Sequence, residues 1–308
     1  MSKRAFIFPG QGSQYPGMGK DLADNFAVAR QIFEEADDAL GSSLSRLCFE
    51  GPEDQLKLTA NTQPAILTVS VAALRVLQAE TGLTADYLAG HSLGEYSALV
   101  AAGALQFADA VRTVRARGTF MQEAVPVGVG AMAAMLSIEP DVLAAICAEA
   151  AQGEEVSPAN FNSPGQIVIA GHTGAVNRAI EIAKAKGFRK AMLLPVSAPF
   201  HSSLMVPAGE RLAGVLEAVV VGDLASPVVT NVEAKPNDDK GRVKELLVRQ
   251  VSAPVLWDAS VREMVALGVA EFVEIGPGKV LSGLVKRIDK EVATKNVEDA
   301  AGLKAIGG

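Results

Sequence analysis

Two apolar periods divide the chain. Between residues 25 and 40, and again between 63 and 80, apolar positions recur every three or four residues, the spacing of an amphipathic helix. Pro64 suits the first turn of the second helix. Further helices are predicted at 94–103 and 107–124. Arg4–Phe8 and the run ending at Gly90 read as strands, the first apolar on both faces, as in a parallel sheet. From residue 128 the order changes to strand 131–138, helix 140–151, strand 156–161, turn 162–166, strand 167–171, helix 173–186 and strand 190–196. That β-α-β-β-α-β succession is a ferredoxin-like unit. Alternation then resumes with a strand at 228–231, helices at 243–251 and 257–267, a strand at 270–275, and a last helix after G-P-G-K. Beyond Asp289 the polar tail is expected to fray. The pattern predicts an α/β protein in which a small subdomain, 128–196, interrupts a larger one made of 1–127 and 197–308.

The stretch A-D-Y-L-A-G-H-S-L-G-E-Y-S-A-L-V, residues 85–100, reads as strand, tight corner and helix. Across the corner lies G-x-S-x-G, Gly90 to Gly94. Glycines on both sides let a strained turn pack closely and present the Ser92 hydroxyl, and the helix behind it aims its positive end at a developing oxyanion. The same residues also suit a glycine-rich turn with a capping serine. A serine nucleophile needs a base, and the chain has three histidines. The side chain of His91 alternates with that of Ser92 and points away, and His172 reads as a surface residue. His201 remains, in the proline-bounded loop V-S-A-P-F-H-S-S-L-M, with Ser202 or Ser203 placed to cap the next helix. Arg117 shares a helix face with Thr113 and Met121, so it is either aimed into a cleft or a solvated surface charge.

Composition narrows the chemistry. At 308 residues and 49% hydrophobic, the chain can bury a large core. The net charge is −7, and residues 21–54, with nine acids against Arg30 and Arg46, carry all of it. Nucleic acid is therefore not an expected partner, although local basic surfaces remain. The glycine-rich loop P-G-Q-G-S-Q-Y-P-G-M-G, 9–19, lets backbone N–H groups approach a ligand. It lacks the Lys-Ser/Thr of a phosphate loop and the dinucleotide spacing. Cys48 and Cys147 have no metal-type spacing and read as reduced thiols of a cytoplasmic protein. The apolar run Ala5–Phe8 is too short for a signal peptide, and no run approaches membrane-spanning length.

The segments P-G-Q-G-S-Q, T-Q-P-A, G-H-S-L-G-E-Y, G-A-M-A-A, N-F-N-S-P-G-Q, P-F-H and E-I-G-P-G-K-V occur in this order along nearly the whole chain. Together they resemble the malonyl-CoA:acyl-carrier-protein transacylase family of bacterial type II fatty-acid synthesis. The resemblance implies a hydrolase-like large subdomain with a central parallel sheet and an inserted ferredoxin-like small subdomain. It implies Ser92 as nucleophile, His201 as base, the Gln250 backbone carbonyl as the group holding the imidazole, and the N–H groups of Gln11 and Leu93 as oxyanion hole. Arg117 would clamp the malonyl carboxylate beside Met121, Phe200 would limit room for an α-methyl group, and Asn162 would reach the substrate from the small subdomain. No cofactor or metal is implied; malonyl-CoA and a phosphopantetheinyl carrier protein are substrates. A monomer is expected. The acidic carrier is expected to meet Lys184, Lys186, Arg189 and Lys190, a cluster without an acid, or Lys286 and Arg287. A serine thioesterase, a non-catalytic scaffold on the same fold, and a trans-acting acyltransferase of a polyketide pathway are the alternatives.

Overall fold

The computed structural model describes residues 3–196 and 198–307. Its larger sheet joins β1 (Lys3–Phe8), β2 (Tyr87–Gly90), β7 (Val228–Val229), β8 (Pro236–Asn237), β9 (Val269–Ile275) and β10 (Ala293–Val297) in the order β10-β9-β1-β2-β7-β8. Every pairing is parallel except β7 with β8. Period-two alternation explains why β1 sits at the centre. Phe6 and Phe8 face one buried cluster, and Ala5 and Ile7 face another with Trp257 and Phe272. The helix Thr59–Thr81 lies inside the first cluster and is buried on nearly every side. Each leucine-sized side chain sealed there contributes about 1.5–3 kcal/mol.

The second sheet comprises β3 (Gly130–Leu136), β4 (Val156–Ser163), β5 (Gln166–His172) and β6 (Ala191–Leu193), antiparallel throughout, in the order β4-β5-β3-β6. With the helices Pro140–Ala151 and Thr173–Ala185 packed on it, this is the ferredoxin-like arrangement, and it has its own apolar cluster. All four strands fall between residues 130 and 193.

Several elements differ from the sequence pattern. The tail beyond Asp289 does not fray: β10 adds an edge strand to β9, and Ala300–Gly307 is helical, with the Ala300 N–H donating to Asp21 at 2.8 Å. An edge strand keeps polar residues, which hid it from the apolar pattern. The buried helix begins at Thr59, so Pro64 lies inside it rather than in its first turn. Its start is fixed by tight packing: a Cβ on Gly118 of the helix Phe107–Glu123 would lie 2.6 Å from the Thr59 carbonyl. β6 is shorter than 190–196, because Pro195 has no N–H to give the ladder. The expected turn at 162–166 shrinks to two residues, which makes Asn162 a strand residue. Neither Ser202 nor Ser203 caps the following helix, since Ser202 Oγ instead donates to the Pro199 carbonyl at 2.7 Å. His172 is half-buried, its Nδ1 accepting from the Glu155 N–H at 2.9 Å. Both cysteines are buried free thiols, and burial pushes their titration up. Among the described residues, no helix is long and apolar enough to cross a membrane and no cluster of His, Cys, Asp and Glu could hold a metal.

Candidate active site

The site forms where β1, β2 and β7 end, the carboxyl edge at which parallel α/β sheets bind ligands. β2 stops at Gly90 and the helix Gly94–Ala101 begins four residues later. No side chain fits at either end of that corner. A Cβ on Gly90 would lie 1.9 Å from the Gly94 carbonyl carbon, and one on Gly94 would lie 2.1 Å from the Phe8 carbonyl oxygen. Between them Ser92 takes φ 50°, a left-handed conformation that costs a non-glycine residue about 1–3 kcal/mol.

A buried polar network holds that strained residue. The Ser92 N–H donates to Asn231 Oδ1 at 2.7 Å, Asn231 Nδ2 donates to the Gly90 carbonyl at 2.7 Å, and Gln250 Nε2 donates to the Ser92 carbonyl at 2.9 Å. Asn231 and Gln250 both rest on Glu95 Oε2, through the Asn231 N–H at 3.0 Å and Gln250 Nε2 at 2.8 Å. Burial pushes Glu95 up to about 7, against the opposing hydrogen bonds from Gln250 and Asn231 and the charge of Arg117.

Ser92 Oγ lies 2.7 Å from His201 Nε2. His201 Nδ1 faces two backbone carbonyls, Gln250 at 2.9 Å and Ala253 at 3.2 Å. Carbonyls only accept, so Nδ1 carries the proton and Nε2 is the acceptor for the serine hydroxyl. Burial holds His201 down to about 3, and the charge of Arg117 adds to the effect.

Arg117 is 1% exposed. Its Nη1 donates to Gln63 Oε1 at 2.8 Å, and its Nη2 donates to Gln250 Oε1 at 2.9 Å and Ser92 Oγ at 3.2 Å. Its guanidinium lies 5.6 Å from the centre of the Tyr96 ring. The cleft in front of these groups, about 110 Å³ and partly open to solvent, is lined by Gln11, Leu93, Met121 and Phe200 together with Ser92, His201 and Arg117. Among the described residues, the backbone N–H groups of Gln11 and Leu93 have no protein acceptor.

The site residues read from the sequence thus converge, with one exception. Asn162 lines an adjoining cleft with Gly10, Gly12, Ser13 and Gln166, and its Oδ1 lies 2.8 Å from His91 Nε2. Asn160, two residues earlier on the same strand, is the one on the wall of the serine cleft. Gln63, Glu95, Asn160 and Asn231 escaped the sequence reading. Glu95 did leave a signal, as an acid in the otherwise uncharged G-E-Y-S-A-L-V-A helix, where burial demands partners.

The acyl transferase domain model matches residues 5–305. The chain belongs to the acyl transferase domain family. Within the family, it is 51% identical over 300 residues to the malonyl CoA-acyl carrier protein transacylase of Bacillus subtilis, covering 97% of this chain and 94% of that protein. The crystal structure of an acyl carrier protein S-malonyltransferase from Vibrio cholerae superposes with a TM-score of 0.96 at 49% identity, covering 99% of this chain and all of that one. A malonyl-transacylase solved in complex with a type II PKS acyl-carrier protein gives a TM-score of 0.96 at 48% identity, with 99% and 98% coverage. The family's members are acyltransferases, and a neutral Ser–His pair backed by carbonyls, with the Arg117 guanidinium against the serine oxygen, is chemistry suited to acyl transfer.

Proposed function

We propose that this chain transfers a malonyl group from coenzyme A to the thiol of an acyl carrier protein through an ester on Ser92. The observation that carries the reading is the meeting of Ser92 Oγ with a base, His201 Nε2 at 2.7 Å, and a cation, Arg117 Nη2 at 3.2 Å. As Oγ attacks the thioester carbonyl, His201 takes its proton. The C–S bond then breaks, and the imidazolium returns the proton to the coenzyme A thiolate. In the second half, His201 takes the proton of the carrier thiol, the thiolate attacks the ester, and Oγ regains the proton. The N–H groups of Gln11 and Leu93 receive the oxyanion in both halves; one such donor is worth about 10²–10³ in rate.

Arg117 binds the malonyl carboxylate in this scheme. That pairing also acts on the base: after burial, the Arg117 charge is the next influence depressing His201, and a bound carboxylate neutralises it. Thiolate is a good leaving group, so carbonyls suffice where hydrolases often place an acid behind the histidine. Phe200 bounds the acyl space, and Asn162 is assigned to the adjoining cleft rather than to the acyl group.

A thioesterase would release malonate to water. Malonyl-CoA incubated with and without holo carrier separates the two: malonyl on carrier, with little free malonate in either arm, is expected, and rapid carrier-independent malonate release contradicts the proposal. The solved complex with a type II PKS carrier supports a second possibility for the acceptor, a polyketide carrier, which competition between the two carrier types resolves.

A further inference from the structure

The side-chain amide of Gln250 stands between two buried charges. Its Oε1 accepts from Arg117 Nη2 at 2.9 Å, and its Nε2 donates to Glu95 Oε2 at 2.8 Å. Arg117 and Glu95 are 1% and 2% exposed, and among the described residues they form no direct ion pair. The orientation of the amide is fixed, because Nε2 also donates to the Ser92 carbonyl, which can only accept. The amide dipole therefore lies with its negative end on the guanidinium and its positive end on the carboxylate.

A guanidinium buried without a counter-charge is costly. A carboxylate in direct contact would remove that cost, but it would occupy the donors and cancel the field that an acidic acyl group needs. The observed arrangement lies between these limits. Among the described residues, Arg117 Nε has no partner and Nη1 has only Gln63.

We propose that the Gln250 side-chain amide preserves acyl selectivity by holding the Glu95 carboxyl one amide away from Arg117: the acid steadies the buried guanidinium without occupying the donors that an acyl carboxylate takes. The inference rests on the malonyl-transfer reading. Glu95 touches no substrate and is a positioning residue. The side chain of Gln250 acts as a spacer, separately from its backbone carbonyl on His201.

Exchanging the two groups tests this. The double variant Glu95→Gln/Gln250→Glu has the composition and net charge of the native chain, but its carboxylate sits directly on Arg117. Malonyl-CoA and acetyl-CoA are compared by kcat/KM for the native protein, Glu95→Gln and the double variant, with Arg117→Ala as reference. The ratio of the two donors is the readout, since losing the Nε2 bond to the Ser92 carbonyl acts on both alike. The malonyl-to-acetyl ratio of the double variant is expected to fall about 100-fold, mostly through the malonyl-CoA KM, and to approach that of Arg117→Ala. Glu95→Gln alone is expected to keep the ratio within about threefold while lowering Tm, with part of the loss recovered on malonylation.

An unchanged ratio in the double variant, or a ratio lost equally in Glu95→Gln, overturns the inference. Should the double variant not fold, Gln250→Glu alone reads the same competition, with the same expected loss and the same overturning result. A native protein that fails to load carrier overturns the malonyl-transfer reading and this inference with it; native loading with an unchanged ratio in the variant overturns the inference alone.

Discussion

His201 is a base kept neutral by its surroundings. Burial and the neighbouring Arg117 charge hold it down to about 3, while the Gln250 and Ala253 carbonyls pull the other way. A depressed histidine stays unprotonated as pH falls through its ordinary 6.5, so in Glu95→Gln, which removes the neighbouring carboxyl that titrates in the same range, the rate of Ser92 acylation by malonyl-CoA is expected to be flat from pH 8 to about 5. Single-turnover acylation measured across that range checks it, and an acid limb centred near 6.5 contradicts it. The stability consequences carry opposite signs. His201 contributes stability that is present above 6.5 and lost as pH falls toward about 3. Glu95, pushed up to about 7, is stabilising below its ordinary 4.5 and loses that contribution as pH rises through 7. Of these residues, Ser92 and His201 were legible because a motif and a scarcity of histidines marked them. Asn231 and Gln63 were not, because a lone amide leaves no periodic trace until the fold supplies its partners.

Whole elements were read from the sequence according to how much apolar pattern they carried. β1, buried on both faces, and the amphipathic helices were plain. The order β-α-β-β-α-β was readable before any contact was known, and the pairing β4-β5-β3-β6 follows from it through the single handedness of the crossover. β10 and Ala300–Gly307 were missed because an edge strand and an exposed terminal helix bury few residues. The Ser92 corner was readable for a steric reason. Gly90 and Gly94 are required by backbone atoms 1.9 and 2.1 Å from where a Cβ would lie, so the constraint is written in residue identity.

At the scale of the molecule, the sequence showed charge but not its pairing. The expected acid-free cluster is partly neutralised, Lys184 by Glu181 and Lys186 by Glu149, each at 2.8 Å. These are solvated pairs worth little energy, but they reduce the field offered to a partner. Arg189 and Lys190 remain exposed beside β6, while Lys286 donates to backbone carbonyls and Arg287 to Gln166 at the adjoining cleft. We propose that the carrier is steered by Arg189 and Lys190. Reversing both charges is expected to raise the carrier KM about tenfold at low salt and to leave malonyl-CoA acylation unchanged. An unchanged carrier KM moves the docking face toward Lys286 and Arg287.

The account stands on a covalent relay, and intact-mass spectrometry reads it directly. After brief exposure to malonyl-CoA, the protein is expected to gain one malonyl group, mapped to Ser92 and absent in Ser92→Ala. Adding holo carrier should return the protein to its original mass while the carrier gains the group. Loading of carrier that continues in Ser92→Ala, with no adduct on the protein, would contradict it.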